Sequence, residues 1–340
     1  MNKLSLGINL GHFEESTRLI PNNWPNYNLM YQLKLNQFAA LRFMDWQKTN
    51  NSNVKEYWDL PRYYDQRWMY WGGPWRNFHG VPLKYLVDIA NRMQSRPWIC
   101  IPHKASPECM RRMVQFVIAG ARQRPIFELS NETWNSQFSQ YWYNVRHGMM
   151  SAMAFRPTTA ALRWQSHRTA SLAAIVGKHG DVVISGQTAN PWIAEQLISA
   201  KALRGKIAAI AIAPYFGQRV TQTTNLFNTL KAEIEGPLRQ NIRAHHAVAQ
   251  KYGVKLWGYE GGQHLVAKNA QQRNAFVALN RSGEMQRLTQ QWLNIWFKEG
   301  GSLICPYSFS SRFGNHMWGH VEVVGDQFQI RPKYNALFSQ

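Results

Sequence analysis

Two glutamates close short apolar runs in this 340-residue chain. Glu132 ends Pro125-Ile-Phe-Glu-Leu-Ser-Asn-Glu132, and Glu260 ends Lys255-Leu-Trp-Gly-Tyr-Glu260, just before Gly261 and Gly262. Apolar runs of this length read as buried strands. In a parallel barrel, a carboxylate at the end of such a strand lies on the face that carries the strand-to-helix loops, where barrels keep their chemistry. Two carboxylates on different strands are enough to cleave a glycosidic bond: one protonates the leaving oxygen while the other attacks the sugar or activates water. The plainer alternative is that each glutamate pairs with a basic residue at its strand end. The rest of the pattern favours catalysis, because it puts both strands into one closed barrel.

Eight segments have strand character: 4–9, 39–45, 97–103, 125–132, 181–187, 207–215, 255–260 and 302–309. Several are near-continuous apolar runs, as parallel strands covered on both faces require. Helical segments at 82–94, 107–122, 159–178, 191–203, 226–252 and 269–298 separate most of them. Pro82, Pro107 and Pro191 sit near helix starts, where a missing amide donor costs little. Strands alternating with helices imply βα units, and eight of them favour a (β/α)8 TIM barrel formed as a single domain over residues 1–340. No glycine-rich phosphate-binding fingerprint follows an early strand, which argues against a nucleotide-binding fold. Two long loops are rich in aromatic residues. Residues 46–80 include Tyr57, Trp58, Tyr63, Tyr64, Trp68, Tyr70, Trp71 and Trp75, and the stretch after Glu132 includes Trp134, Phe138, Tyr141, Trp142 and Tyr143. Such rings either stack on the C–H faces of sugars or form small cores that order the loops.

The net charge of +20 attracts anionic partners. Nucleic acid, an anionic surface and an acidic polysaccharide are the candidates, alongside a merely basic protein. The cations are scattered along the chain, so nucleic acid gains no support beyond charge. A run of about 18 apolar residues, the length needed to cross a membrane, is absent. The first residues lack the apolar stretch and cleavage site of a leader, so the chain is expected either to lack a standard export signal or to have already lost it. Cys100, Cys109 and Cys305 cannot all pair with one another and have no metal-binding spacing. His316, His320 and Glu322 read as loop residues. No metal and no cofactor are expected.

The residues resemble the retaining glycoside hydrolases of clan A, (β/α)8 enzymes that include many cellulases, mannanases, xylanases and β-glycosidases. Asn131-Glu132 at the end of the fourth predicted strand and Glu260 at the end of the seventh carry the resemblance. The stretches Leu41-Arg-Phe-Met-Asp-Trp-Gln-Lys-Thr-Asn-Asn, Leu129-Ser-Asn-Glu-Thr-Trp-Asn and Tyr259-Glu-Gly-Gly-Gln-His are similar to a bacterial or phage cellulase-like branch. The resemblance implies Glu132 as acid/base, kept protonated by a partly apolar setting near Trp134, and Glu260 as an ionised nucleophile. It also implies that Arg42 lowers the pKa of Glu260, that Tyr215 hydrogen-bonds it, and that Asn131 holds the sugar 2-hydroxyl. His103 is a candidate substrate-binding residue, and Asp45 and Trp46 are placed to enter the pocket.

One departure from the clan concerns the tryptophan that floors the cleaved-sugar subsite at the end of strand eight. Here that strand offers Tyr307 and Phe309, with Trp318 in the following loop. Asn131-Glu132-Thr133 also fits a glycosylation sequon, but a glycan there would block the site, so this match reads as chance. The expected function is endo-β-glycosidic cleavage of a polysaccharide, an acidic capsule or exopolysaccharide being one candidate. An inactive glycan-binding barrel used for surface attachment is the alternative. Action outside the cell follows from such a substrate, with lysis release, a phage particle and prior trimming as open routes.

Overall fold

Side chains along a strand alternate between its two faces, and this alternation sorts the apolar residues into two cores. The computed structural model describes residues 6–10, 38–62, 80–323 and 331–338. Its barrel strands are β1 (Ile8–Asn9), β2 (Ala40–Arg42), β3 (Arg96–Ile101), β4 (Ile126–Leu129), β5 (Asp181–Ser185), β6 (Ala209–Ile212), β7 (Lys255–Gly258) and β8 (Gly301–Ile304). Each pairs in parallel with the next. A parallel bridge between Leu6 and Ile304, with Gly7 N donating to Ile304 O at 2.8 Å, joins the last strand to the first. The fold is the expected (β/α)8 barrel.

Inside the barrel, Ala40, Trp98, Ile126, Val183, Ala209, Ala211, Trp257 and Leu303 form one apolar plug. Trp98 and Trp257 lie 6.0 Å apart, centroid to centroid. The small side chains of β6 leave them room. Outward-facing residues such as Leu41, Ile99, Phe127, Ile184, Ile210 and Leu256 pack against the helices in a second, larger core.

The helices are α1 (Leu83–Arg92), α2 (Pro107–Gly120), α3 (Ser139–Met150), α4 (Pro157–Val176), α5 (Pro191–Ile198), α6 (Leu226–Glu233), α7 (Arg239–Lys251), α8 (Ala270–Asn280), α9 (Gly283–Lys298) and α10 (Pro332–Phe338). Proline opens α2, α4 and α5, and Ser106 caps α2 by accepting from Cys109 N at 3.1 Å. The single helix expected at 226–252 is interrupted by a wider π-helical turn at Ile234–Leu238, which contains Pro237. Proline cannot donate the backbone bond that a regular turn needs. The segment expected at 269–298 divides at Arg281 and Ser282, where the Ser282 hydroxyl accepts from Met285 N and starts α9. The stretch after Glu132, expected as a loop, contains α3.

The barrel strands also end earlier than the apolar runs suggested. Ser130 and Glu132 have positive φ, 62° and 41°, a conformation that breaks an extended strand. After β7 the chain bends at Tyr259 and Glu260, and Gly261 and Gly262 follow with φ of 153° and 117°. Glu132 and Glu260 therefore sit on loops, three and two residues past their strands. Beyond the barrel, Tyr215–Phe216 and Gly262–Gln263 form a short parallel pair that ties the loops after β6 and β7 together.

Candidate active site

Arg42 closes β2 with its side chain pointing into the barrel, where it is buried. A buried guanidinium needs acceptors for its fork of donors. Nη1 donates to Glu260 Oε1 at 2.8 Å and to Asn9 Oδ1 at 3.3 Å. Nη2 donates to Asn131 Oδ1 at 2.7 Å and to Glu128 Oε2 at 2.9 Å, and Nε reaches Glu128 Oε2 at 3.1 Å. One cation thus connects β1, β2, β4 and the loops after β4 and β7. Tyr259 lies beneath its charge, ring centroid 5.0 Å from Cζ.

Glu260 is buried, and its second oxygen, Oε2, accepts from the Tyr215 hydroxyl at 2.8 Å. Glu132 is more open. Its Oε1 accepts from the Tyr259 hydroxyl at 3.1 Å and its Oε2 from Asn135 Nδ2 at 2.8 Å. One carboxylate therefore has a cation and a phenol as donors, while among the described residues the other has only neutral donors. Asn131 is held on both sides: besides Arg42, its Nδ2 donates to Asn50 Oδ1 at 3.0 Å, and Gln140 Nε2 donates to both Asn50 Oδ1 and Asn131 O at 2.8 Å.

Burial pushes the Glu260 carboxyl up to about 8, and repulsion from Glu132 and Asp45 adds to the rise, while Arg42 and the Tyr215 donor oppose it. Burial also raises Glu132, against the pull of Asn135, Tyr259 and Arg42. Arg42 pulls the Glu260 pKa down in the expected direction, but burial outweighs it and the carboxyl stands above the ordinary range. Two of the guanidinium nitrogens are directed at Glu128, so its charge is divided between two carboxylates. Tyr215 is raised well above a free phenol, by burial first and by Glu260 second, and remains a donor.

The other expected residues divide. Asp45 accepts from the Tyr307 hydroxyl at 2.8 Å. Tyr307 meets Trp318 edge to face, with centroids 5.6 Å apart, and Trp318 also faces His264. Trp46 does not enter the pocket: it is fully buried in the outer core against Phe43. Residues 44–48 form a turn past β2, so Asp45 and Trp46 do not share a strand-end direction. Phe309 is likewise buried, against Tyr334. His103 is only 2% exposed and meets the Tyr143 ring edge to face at 5.2 Å. Burial lowers its pKa to about 4, and among the described residues neither ring nitrogen has a hydrogen-bond partner. Trp134 packs on the outer core and is partly exposed.

His316 stacks on Trp318, His320 Nδ1 bonds Ser308 O, and Glu322 engages Arg281, so these three residues go separate ways. All three cysteines are buried and unpaired. Tyr63, Tyr64, Trp68, Tyr70, Trp71 and Trp75 lie outside the described residues. Glu128, Tyr259, Asn9 and Asn135 are additional site residues. Glu128 had a signal in the sequence: a charge inside an apolar strand, two steps of strand alternation before Glu132.

The fold is similar to the (β/α)8 barrels of several glycoside hydrolases, at low sequence identity. A GH51 arabinofuranosidase from Xanthomonas axonopodis pv. citri superimposes with a TM-score of 0.58 at 13% identity, over 98% of this chain and 70% of that one. A GH5-4 broad specificity endoglucanase from Clostridium acetobutylicum gives 0.58 at 13% identity, over 100% and 98%. A 4-O-alpha-L-rhamnosyl-beta-D-glucuronidase from Fusarium oxysporum 12S gives 0.61 at 9% identity, over 100% and 69%. The sequence matches no protein-family model and no curated protein.

Proposed function

We propose that the whole chain is one catalytic domain, a retaining glycoside hydrolase in which Glu132 is the acid/base and Glu260 the nucleophile. The observation that carries this reading is the unequal support of the two carboxylates. Glu260 faces a guanidinium and a phenol, whereas Glu132 has only neutral donors. Two interacting carboxylates titrate as a pair. With one proton between them, the ion pair with Arg42 favours the anion on Glu260 and leaves the proton on Glu132. Burial raises both carboxyls, so the pair keeps that proton, and of its two singly ionised microstates the one with the charge beside Arg42 is the lower.

In the first step, Glu260 attacks the anomeric carbon while the proton on Glu132 passes to the departing glycosidic oxygen. This gives a glycosyl ester on Glu260 and an ionised Glu132. In the second step, Glu132 takes a proton from water, the oxygen of that water attacks the anomeric carbon, and Glu260 leaves as carboxylate. Asn131, fixed between Arg42 and Asn50, retains an amide hydrogen for a sugar hydroxyl. Tyr307 and Trp318 serve as the floor of the cleaved-sugar subsite.

The substrate is a β-linked polysaccharide cut internally. Exposed Trp142 and partly exposed Trp134 and Trp318 offer ring faces for sugars. The charge of +20 favours an acidic polymer, in line with the glucuronidase among the structural neighbours. The test is the anomeric configuration of the first product, followed by proton NMR before mutarotation. The β-anomer from a β-linked polymer is expected, and the α-anomer would rule out double displacement. Cleavage of acidic polymers should weaken with salt more than that of neutral ones; equal responses would remove the acidic assignment.

A further inference from the structure

Glu128 lies within β4, facing the barrel interior, and it is buried among five donors. Arg42 Nε and Nη2 reach its Oε2 at 3.1 and 2.9 Å, Trp98 Nε1 reaches the same oxygen at 2.9 Å, and the Cys100 thiol lies 3.7 Å away. The Ser185 hydroxyl bonds Oε1. A carboxylate this deep is not placed to touch substrate. It does share a cation with a carboxylate that is: Arg42 joins Glu128 on one side and Glu260 on the other.

We propose that Glu128 is a positioning residue that sets how much of the Arg42 charge reaches Glu260, and so tunes the ionisation of Glu260 from within the barrel. A single positive charge placed between two anions compensates each only in part. Glu128 also orients the guanidinium, since Nε and Nη2 converge on one oxygen and this directs Nη1 toward Glu260. The other groups that act on Glu260 are Asp45, Glu132 and Tyr215, with Tyr259 beside it in the chain; Cys100 acts on Arg42. None of these bonds the guanidinium as Glu128 does. The catalytic consequence rests on Glu260 being the nucleophile, but the electrostatic claim does not.

Glu128→Gln removes the charge and keeps the shape. Its carboxamide oxygen can accept from Arg42 and Trp98, and its NH2 can donate to the Ser185 hydroxyl. In protein labelled with carboxyl-13C glutamate, with Glu260 assigned through Glu260→Gln, the Glu260 midpoint in Glu128→Gln should fall by about 1 unit. The acid limb of kcat/KM should move to lower pH with it. Ser185→Ala is the milder second variant. It takes a donor away from Glu128, which then draws more on Arg42, so the Glu260 midpoint should rise. An unchanged midpoint in either folded variant, or shifts of the same sign in both, would overturn the proposal, because a purely structural role for Glu128 moves stability and not the titration of Glu260. If wild type releases no sugar while the midpoints shift as stated, the hydrolase reading fails and the electrostatic one stands.

Discussion

The Tyr259 hydroxyl donates to Glu132 Oε1 across 3.1 Å, so the residue preceding Glu260 in the chain touches the opposite carboxylate. This contact fixes the position of the loop after β4 relative to the loop after β7, and it makes Tyr259 part of the acid/base environment. A donor to a carboxylate favours the anion. Tyr259→Phe keeps the ring beneath Arg42 and removes that donor, so Glu132 should hold its proton to higher pH. The alkaline limb of kcat/KM should move up by about half a unit to one unit, as pH–rate profiles of both proteins would reveal. An alkaline limb that stays in place would remove Tyr259 from this role.

The ionisation of Glu260 has a cost in stability, with a definite sign. Its folded pKa of about 8 lies above the ordinary value near ~4.3 for an unfolded chain. Between these values the folded Glu132–Glu260 pair keeps one proton, seated on Glu132, while both carboxyls of the unfolded chain are ionised, so the stabilising contribution is full at low pH and is lost as pH rises through about 8. Glu260→Gln is neutral at every pH. Its melting temperature, measured by calorimetry, should therefore exceed that of wild type increasingly from about pH 5 to 9, by a few degrees at the upper end. A gap that does not widen with pH would mean that burial does not raise Glu260.

Trp46 and Trp318 separate core from pocket. Trp46→Ala removes a fully buried side chain and should destabilise the protein by about 3–5 kcal/mol, while the protein that remains folded cleaves substrate with unchanged KM. Trp318→Ala should instead raise KM or lower kcat with little change in melting temperature. Denaturant unfolding and steady-state kinetics on both variants measure the two effects. If Trp46→Ala were stable but impaired in substrate binding, its placement in the outer core would be wrong.

Much of this site was legible in the sequence, for physical reasons. Strand-end carboxylates show because a charge at the end of an apolar run has few structural explanations, and Arg42 and Tyr215 do meet Glu260, while Glu132 bonds Tyr259, the residue beside Glu260. The place of Trp46 was not legible, because residues 44–48 form a turn past β2 and turn its ring into the outer core. The division of Arg42 between two carboxylates was not legible. It depends on Glu128 reaching the guanidinium from a neighbouring part of the barrel, a contact across 86 residues that no local pattern encodes. Helix breaks at Pro237 and Ser282 were locally marked, by a missing donor and a capping hydroxyl, and were hidden by continuous apolar periodicity. The helix α3 was masked by aromatic residues that also suit a sugar-binding loop.

The central claim is that Glu132 and Glu260 together break glycosidic bonds. Oligosaccharide release from a panel of neutral and acidic polysaccharides, compared across wild type, Glu132→Gln and Glu260→Gln, tests it most directly. Release by wild type and a loss of about 10²–10⁴-fold or more in each variant is the expected result. Release that survives both substitutions would contradict the claim, because the reaction would then be taking place without the pair.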